Sequence, residues 1–203
     1  MSNWLEYLIS PYRQYSLFEI VFESIAAFFG LLSVWYARKA DIKVYPTGLV
    51  STTIYIYVTI RAGLYADSGI NAYYSAMSIY GWIVWSGVRE NHIEPPIRKL
   101  NTSGWRFSIG LFAISFLALL LVLKNFTDST VPAIDSFTTA AFFVGMWLMA
   151  RKRIEHWLFW IVGNVVSVPL YMYKGLGITA IQFAVFLILA IQGWNTWQKE
   201  MKK

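Results

Sequence analysis

Trp157, Trp160 and Asn164 stand at i, i+3 and i+7, a spacing that sets two indoles and a carboxamide on one face of a helix. An indole face stacks on a flat ring and attracts a cationic one, while a carboxamide orients a polar substituent through hydrogen bonds. The trio suits a flat heteroaromatic small molecule. Val168 and Tyr171 extend the stripe, and Pro169 is expected to bend its helix. Trp157 directly follows the basic stretch 151–156 and reads equally well as an interfacial anchor. Trp160 and Asn164 lie deeper, where an amide inside an apolar span seeks a partner.

Other residues could join them. Thr47, Ser51 and Tyr55 follow Val44 with the same i, i+3, i+7 rhythm and would offer hydroxyls, although small hydroxyl residues equally serve helix packing in membranes. Asn71, Tyr74, Ser75 and Ser78 form a second polar face, and Gln182 lies about two turns into the last apolar run. Glu19 and Glu23 are four residues apart; Glu23 is the deeper and the more expensive to bury, which makes it a gating or coupling candidate. Asp135 reads as a helix-start residue, and His92 and His156 are expected to be solvated in polar loops. Parts for catalysis are missing: there is no cysteine, no His/Glu or His/Asp cluster within a span, no Gly-x-Ser-x-Gly and no phosphate loop. No lysine inside the last span could form a Schiff base. No catalytic residue, metal or cofactor is therefore expected.

The elements that must position these residues follow from composition. Of 203 residues, 57% are hydrophobic and 14% charged, with mean hydropathy +0.49. A water-soluble domain carries about 25% charged residues, so this chain could not cover a soluble surface. Disorder, fibrous repeats and nucleic-acid binding are excluded by the same figures. Charge-free runs of membrane length occupy 44–60, 68–88, 107–123, 136–150 (extendable back to Val131), 157–173 and 175–198, and a further run at 16–37 contains only Glu19 and Glu23. Seven transmembrane helices are predicted in one membrane domain. Their continuity excludes the ten-residue alternation of barrel strands. The first run lacks a basic leader and holds two glutamates, so it is read as a span and not as a cleaved signal peptide.

Basic residues are distributed unevenly. The loops after spans 1, 3 and 5 and the C-terminal tail hold thirteen Lys and Arg; the opposite side holds only Arg13, Arg61, Lys124 and Lys174. The positive-inside rule puts the N-terminus outside and the C-terminus in the cytoplasm, and the net charge of +6 becomes a topology signal.

The chain also repeats itself. Ala26–Phe29 recurs as Ala140–Phe143 at an offset of 114, Ala37-Arg38-Lys39 as Ala150-Arg151-Lys152 at 113, and Gly63-Leu64 and Gly81-Trp82-x-x-Trp85 as Gly175-Leu176 and Gly193-Trp194-x-x-Trp197 at 112. Residues 16–88 and 131–198 are read as two parallel copies of a three-helix unit, with the span at 107–123 as a linker. Parallel repeats of this kind are a transporter architecture with substrate held between the halves.

The stretch from Ala150-Arg151-Lys152 through Trp157, Trp160 and Asn164 to Pro169-Leu170-Tyr171-x-Tyr173-Lys174-Gly175, together with Leu64-Tyr65-Ala66-Asp67 and Tyr80-Gly81-Trp82, resembles the PnuC family of bacterial vitamin transporters. The resemblance covers essentially the whole chain. It implies a 3+1+3 helical fold like that of SWEET sugar transporters, a homotrimer in the cytoplasmic membrane, and uniport of nicotinamide riboside with trapping by a cytoplasmic kinase. The Trp-x-x-Trp-x-x-x-Asn pattern is similar to the family's substrate motif. One departure is Met146: nicotinamide riboside members tend to carry glutamine beside the Trp147 position. Relatives carry thiamine, riboflavin or deoxynucleosides, so thiamine is the second expectation. Two rivals are a seven-helix receptor that binds the vitamin without moving it, and proton-coupled transport through Glu23.

Overall fold

The structure, a computed structural model, describes residues 17–87 and 95–202. Arg13, Arg89, His92 and Lys203 lie outside the described residues, as does the side chain of Glu19. Seven helices occur among the described residues: α1 Leu17–Arg38, α2 Val44–Arg61, α3 Tyr65–Trp85, α4 Thr102–Phe126, α5 Pro132–Ala150, α6 His156–Tyr173 and α7 Gly177–Glu200. They follow the predicted runs closely. The largest displacement is at α4, which starts at Thr102 and not at 107 because the Asn101 side chain caps it there; α3 starts at Tyr65, after the turn at Gly63. Among the described residues, four helices are long and apolar enough to cross a membrane: α1 from Ile20, α4, α5 and α7. The other three, α2, α3 and α6, carry the hydroxyl, amide and aromatic residues singled out as candidate site residues, and these lower their hydropathy.

α1 packs on α2, α2 on α3, α3 on α5, α5 on α6, α6 on α7, and α7 back on α1. Six helices thus close a ring in which α2 stands opposite α6. α4 lies outside it, against α5. Only Ser108 of α4 is buried, while Phe107, Ile109, Ile114, Leu117 and Leu121 are exposed, as expected of a helix facing lipid.

The ends of the helices are built alike. At Gly63 and Gly175 the chain turns with φ of +74° and +76°. Leu64 N–H reaches back to the Thr59 carbonyl at 2.8 Å, and Leu176 N–H to that of Tyr171 at 2.9 Å. These are Schellman caps, which need a residue in the left-handed region where glycine pays no Cβ penalty. At the opposite end, Asp41 N–H bonds Tyr36 O at 3.0 Å and Arg153 N–H bonds Leu148 O at 2.9 Å. There the left-handed positions are Ala40 and Lys152, both at φ 53°, and each residue carries about 1 kcal/mol of strain. The paired turns are separated by a constant 112 residues. This corrects the drifting offset: the sequence likenesses at 113 and 114 are out of step with the hydrogen bonds by one and two residues.

The polar loop 151–156 is more buried than its composition suggests. Arg98 N–H bonds Lys152 O at 3.0 Å, and Ile154 N–H bonds Arg98 O at 3.1 Å, so the segment before α4 is laid across this loop. Lys152, Ile154, Glu155 and His156 are all buried beneath it. Asn101 then caps α4, its side-chain oxygen accepting Gly104 N–H at 2.8 Å. Pro46 lies in the first turn of α2, where a missing N–H costs nothing. Pro169 is inside α6.

Candidate substrate site

α6 presents one continuous stripe to the interior. Trp157 and Asn164 are 0% and 1% exposed, Ser167 is 0%, and Trp160 and Tyr171 are half-buried. The side chains are held by their neighbours. Trp157 packs on His156 and Trp197, with ring centres 4.3 and 5.9 Å away, and meets Trp160 edge-on at 5.9 Å. Two glycines make room for these indoles: a Cβ on Gly193 would overlap Trp157, and one on Gly145 would overlap Cδ1 and Nε1 of Trp160. Further along, Tyr171 stacks on Phe183 of α7 at 4.8 Å.

Four polar atoms on this stripe are buried without a hydrogen-bond partner: Nε1 of Trp157, Nε1 of Trp160, Nδ2 of Asn164 and Oγ of Ser167. A buried polar atom left unpaired costs about 1–3 kcal/mol, and natural interiors contain few of them. Three of the four atoms are N–H donors with no acceptor capacity. A molecule bound against the stripe would therefore have to offer acceptor oxygens or nitrogens, and it would lie against aromatic faces. Ser167 stands at the i+3 step from Asn164, whereas the stripe predicted from sequence runs through Val168.

His156 corrects another expectation. It is fully buried, with its ring 4.5 Å from Trp197 and Nδ1 2.7 Å from the Arg153 carbonyl. A carbonyl only accepts, so Nδ1 carries the proton. The loop reading fails because His156 opens α6 and its ring packs against Trp157, Trp160 and Trp197.

On α2 the register also changes. Tyr45, not Val44, takes the place corresponding to Trp157: its ring fills the space over Gly81 as Trp157 fills that over Gly193, and it meets Trp85 edge-on at 5.2 Å. By the same count Thr52 corresponds to Asn164, and its hydroxyl pairs with Ser75 of α3 at 2.7 Å. The hydroxyls predicted on α2 are engaged elsewhere: Thr47 donates to Lys43 O at 2.6 Å within its own helix, and Ser51 donates to Ala26 O at 2.7 Å, tying α2 to α1. Tyr55 is half-buried on the same helix.

From α3, Tyr73 stacks on Phe143 of α5 at 4.1 Å and donates its hydroxyl to the Phe143 carbonyl at 2.9 Å. Tyr74 meets the same ring edge-on at 5.8 Å. Asn71 donates to Asp67 O at 2.9 Å and stays within its helix. Met146 is buried among the core residues that include Met149 and Trp157, while Gln182 and Glu23 are half-buried on α7 and α1. At the far end Lys174 grips Asp135 through both carboxylate oxygens, at 2.6 and 2.8 Å, and Ser129 donates to Asp135 at 2.6 Å. Asp135 opens α5, as expected, and it also ties α5 to the end of α6. Among the described residues no group of His, Asp and Glu could hold a metal ion.

A ring of apolar helices around a buried, aromatic and partly unsatisfied polar stripe is the build of a multi-pass membrane transporter. Residues 20–199 match the family model of nicotinamide mononucleotide transporters, and the chain belongs to that family, the PnuC family. The nicotinamide riboside transporter PnuC of Escherichia coli is 27% identical over 200 residues, covering 86% of this chain and 84% of that protein. PnuC of Neisseria mucosa is 25% identical over 193 residues, covering 89% and 73%. The riboflavin/roseoflavin transporter RibM of Streptomyces davaonensis is 21% identical over 172 residues, covering 83% and 80%. The crystal structure of a vitamin B3 transporter PnuC shares the fold, with a TM-score of 0.70 at 22% identity over 100% of this chain and 99% of that one.

Proposed function

We propose that this protein is a uniporter that carries nicotinamide riboside across the bacterial inner membrane, N-terminus outside and C-terminus in the cytoplasm. In this reading α1–α3 and α5–α7 are two parallel halves joined by α4, the protein works as a homotrimer, and a cytoplasmic kinase traps the product. The single observation that carries the substrate assignment is the row of orphaned atoms on α6. Three N–H donors call for acceptors, and nicotinamide riboside offers a carboxamide oxygen and ribose oxygens. Its cationic ring suits the indole and phenol faces of Trp157, Trp160 and Tyr171. Asn164 would orient the carboxamide or a ribose hydroxyl, with Ser167 beside it. Thr47, Ser51, Tyr55, Asn71, Tyr74, Met146 and Gln182 complete the proposed lining, Thr47, Ser51 and Asn71 through positions whose polar groups are already engaged.

Met146 supports a second reading. A buried thioether stands where a glutamine amide is expected for nicotinamide riboside, which favours thiamine or another heteroaromatic vitamin. Proteoliposomes without ion gradient or kinase test both readings. Equilibration of labelled nicotinamide riboside, lost with Trp160→Ala or Asn164→Ala at normal membrane levels, is expected. Equilibration of thiamine alone would transfer the assignment to thiamine. Binding without movement into sealed vesicles would mean a receptor, and normal uptake by both variants would remove the site.

A further inference from the structure

The paired Gly-Trp-x-x-Trp segments at 81–85 and 193–197 contribute no residue to the stripe on α6. Their last tryptophans are 1% and 0% exposed. The Trp85 indole, on α3, donates to the Met149 carbonyl of α5 at 3.1 Å; the Trp197 indole, on α7, donates to the Ala37 carbonyl of α1 at 2.9 Å. Each bond therefore leaves the last helix of one proposed half and ends on the first helix of the other. The accepting carbonyls are also the ones that close the strained turns, receiving Lys152 N–H at 2.9 Å and Ala40 N–H at 3.0 Å. The Tyr45 hydroxyl also donates to the Met149 carbonyl, at 3.5 Å.

The rings around these bonds fill the interior at the basic end. Tyr45 meets Trp85 edge-on at 5.2 Å, Trp157 meets Trp197 edge-on at 5.9 Å, and Trp85 and Trp197 lie 5.8 Å apart. Lys152 Nζ closes over the Trp85 ring at 4.5 Å. Trp157 is both the last residue of the proposed substrate stripe at this end and one of the four plugging rings.

We propose that Tyr45, Trp85, Trp157 and Trp197 form the gate on the side of the basic loops, and that the two indole–carbonyl bonds are its latch. This rests on the transporter reading and names the moving contact in it. Ring packing tolerates sliding, whereas a hydrogen bond weakens steeply with misalignment. Because each bond crosses between halves in the opposite sense, parting the halves at this end breaks both together. Trp85 and Trp197 are thus positioning residues that hold a closed conformation and need not touch the substrate.

The chain has no cysteine, so a single introduced thiol is a unique probe. Thr52→Cys, on α2 at the level corresponding to Asn164, reports access beyond the gate. Lys199→Cys, exposed at the end of α7, identifies the vesicle face that carries the basic loops. Trp85→Phe and Trp197→Phe keep a ring and remove the donor. With a membrane-impermeant maleimide applied to the basic face, each single variant should label the position-52 thiol about three- to fivefold faster, and the double variant about tenfold faster or more. Labelling from the other face should not rise. Equal rates in all backgrounds overturn the gate, and so does equal acceleration from both faces, which marks general loosening. If the double variant does not reach the membrane, the single variants carry the same comparison. No substrate is needed: one-sided acceleration without nicotinamide riboside uptake removes the substrate assignment and keeps the gate, while normal uptake with unchanged labelling removes the gate alone.

Discussion

The Trp160 indole occupies the space that a side chain at Gly145 would need, so its position is set by a residue of another helix. Trp160 is one of the two indoles proposed to hold the substrate ring, and α5 offers it a glycine at the point of contact. Gly145→Ala should push the Nε1 edge of Trp160 aside and raise the KM for uptake about tenfold, since overpacking costs about 1–3 kcal/mol. The amount of protein in the membrane should stay the same. An unchanged KM would show that Trp160 does not position the substrate.

Ser167 makes a contrasting prediction. Its hydroxyl is buried and unpaired, so Ser167→Ala removes a group that costs stability in the empty protein. The empty variant should melt at the same temperature or slightly higher. Stabilisation by added nicotinamide riboside should fall, with affinity about three- to tenfold weaker. Full retention of ligand stabilisation would take Ser167 out of the site.

The pair at the far end is structural in this account. Asp135 and Lys174 have side chains 15% and 22% exposed and make two short contacts. Lys174→Met leaves a largely desolvated carboxylate and should cost about 2–3 kcal/mol. Adding Asp135→Asn should restore at least half of the loss. Simple additivity in this double-mutant cycle would mean that the pair contributes little.

Ala40 is a non-glycine residue at φ 53°. Ala40→Gly relieves the Cβ clash at a cap that glycine fills at Gly63 and Gly175, and should stabilise the protein by about 0.5–1 kcal/mol. A lower melting temperature would show that the Ala40 methyl group contributes more by packing than its conformation costs.

Glu23 separates uniport from proton coupling. Uniport predicts that Glu23→Gln leaves the uptake rate within about twofold of the parent and that imposing a pH gradient drives no accumulation in either. Accumulation by the parent that disappears in the variant would establish coupling through Glu23.

Seven helices were legible because each run is dictated by the length of the bilayer core, and a charge inside it is expensive wherever it falls. The trio of Trp157, Trp160 and Asn164 was legible for a related reason: 3.6 residues per turn put those positions on one face whatever surrounds the helix. The burial of His156 is not legible in the sequence because its ring packs against Trp197, a residue of another helix far along the chain, as well as against Trp157 and Trp160. Thr47 and Ser51 have the right type and rhythm, yet a hydroxyl takes the nearest carbonyl, and those carbonyls belong to Lys43 and Ala26. The repeat offsets of 113 and 114 followed matching letters, whereas the turns keep to 112 because hydrogen-bond geometry, unlike side-chain identity, permits no drift.

By itself the sequence determined where the seven helices run, which end is basic, and which face of α6 carries indoles and an amide, since all three depend on local composition and helical period. The tertiary structure alone decided which polar atoms on that face are left unpaired, that Ser167 joins them, and that Trp85 and Trp197 bond to the neighbouring helices of the other proposed half. Those facts depend on the distance and direction between atoms far apart in the chain, and only the closed ring of six helices brings them together.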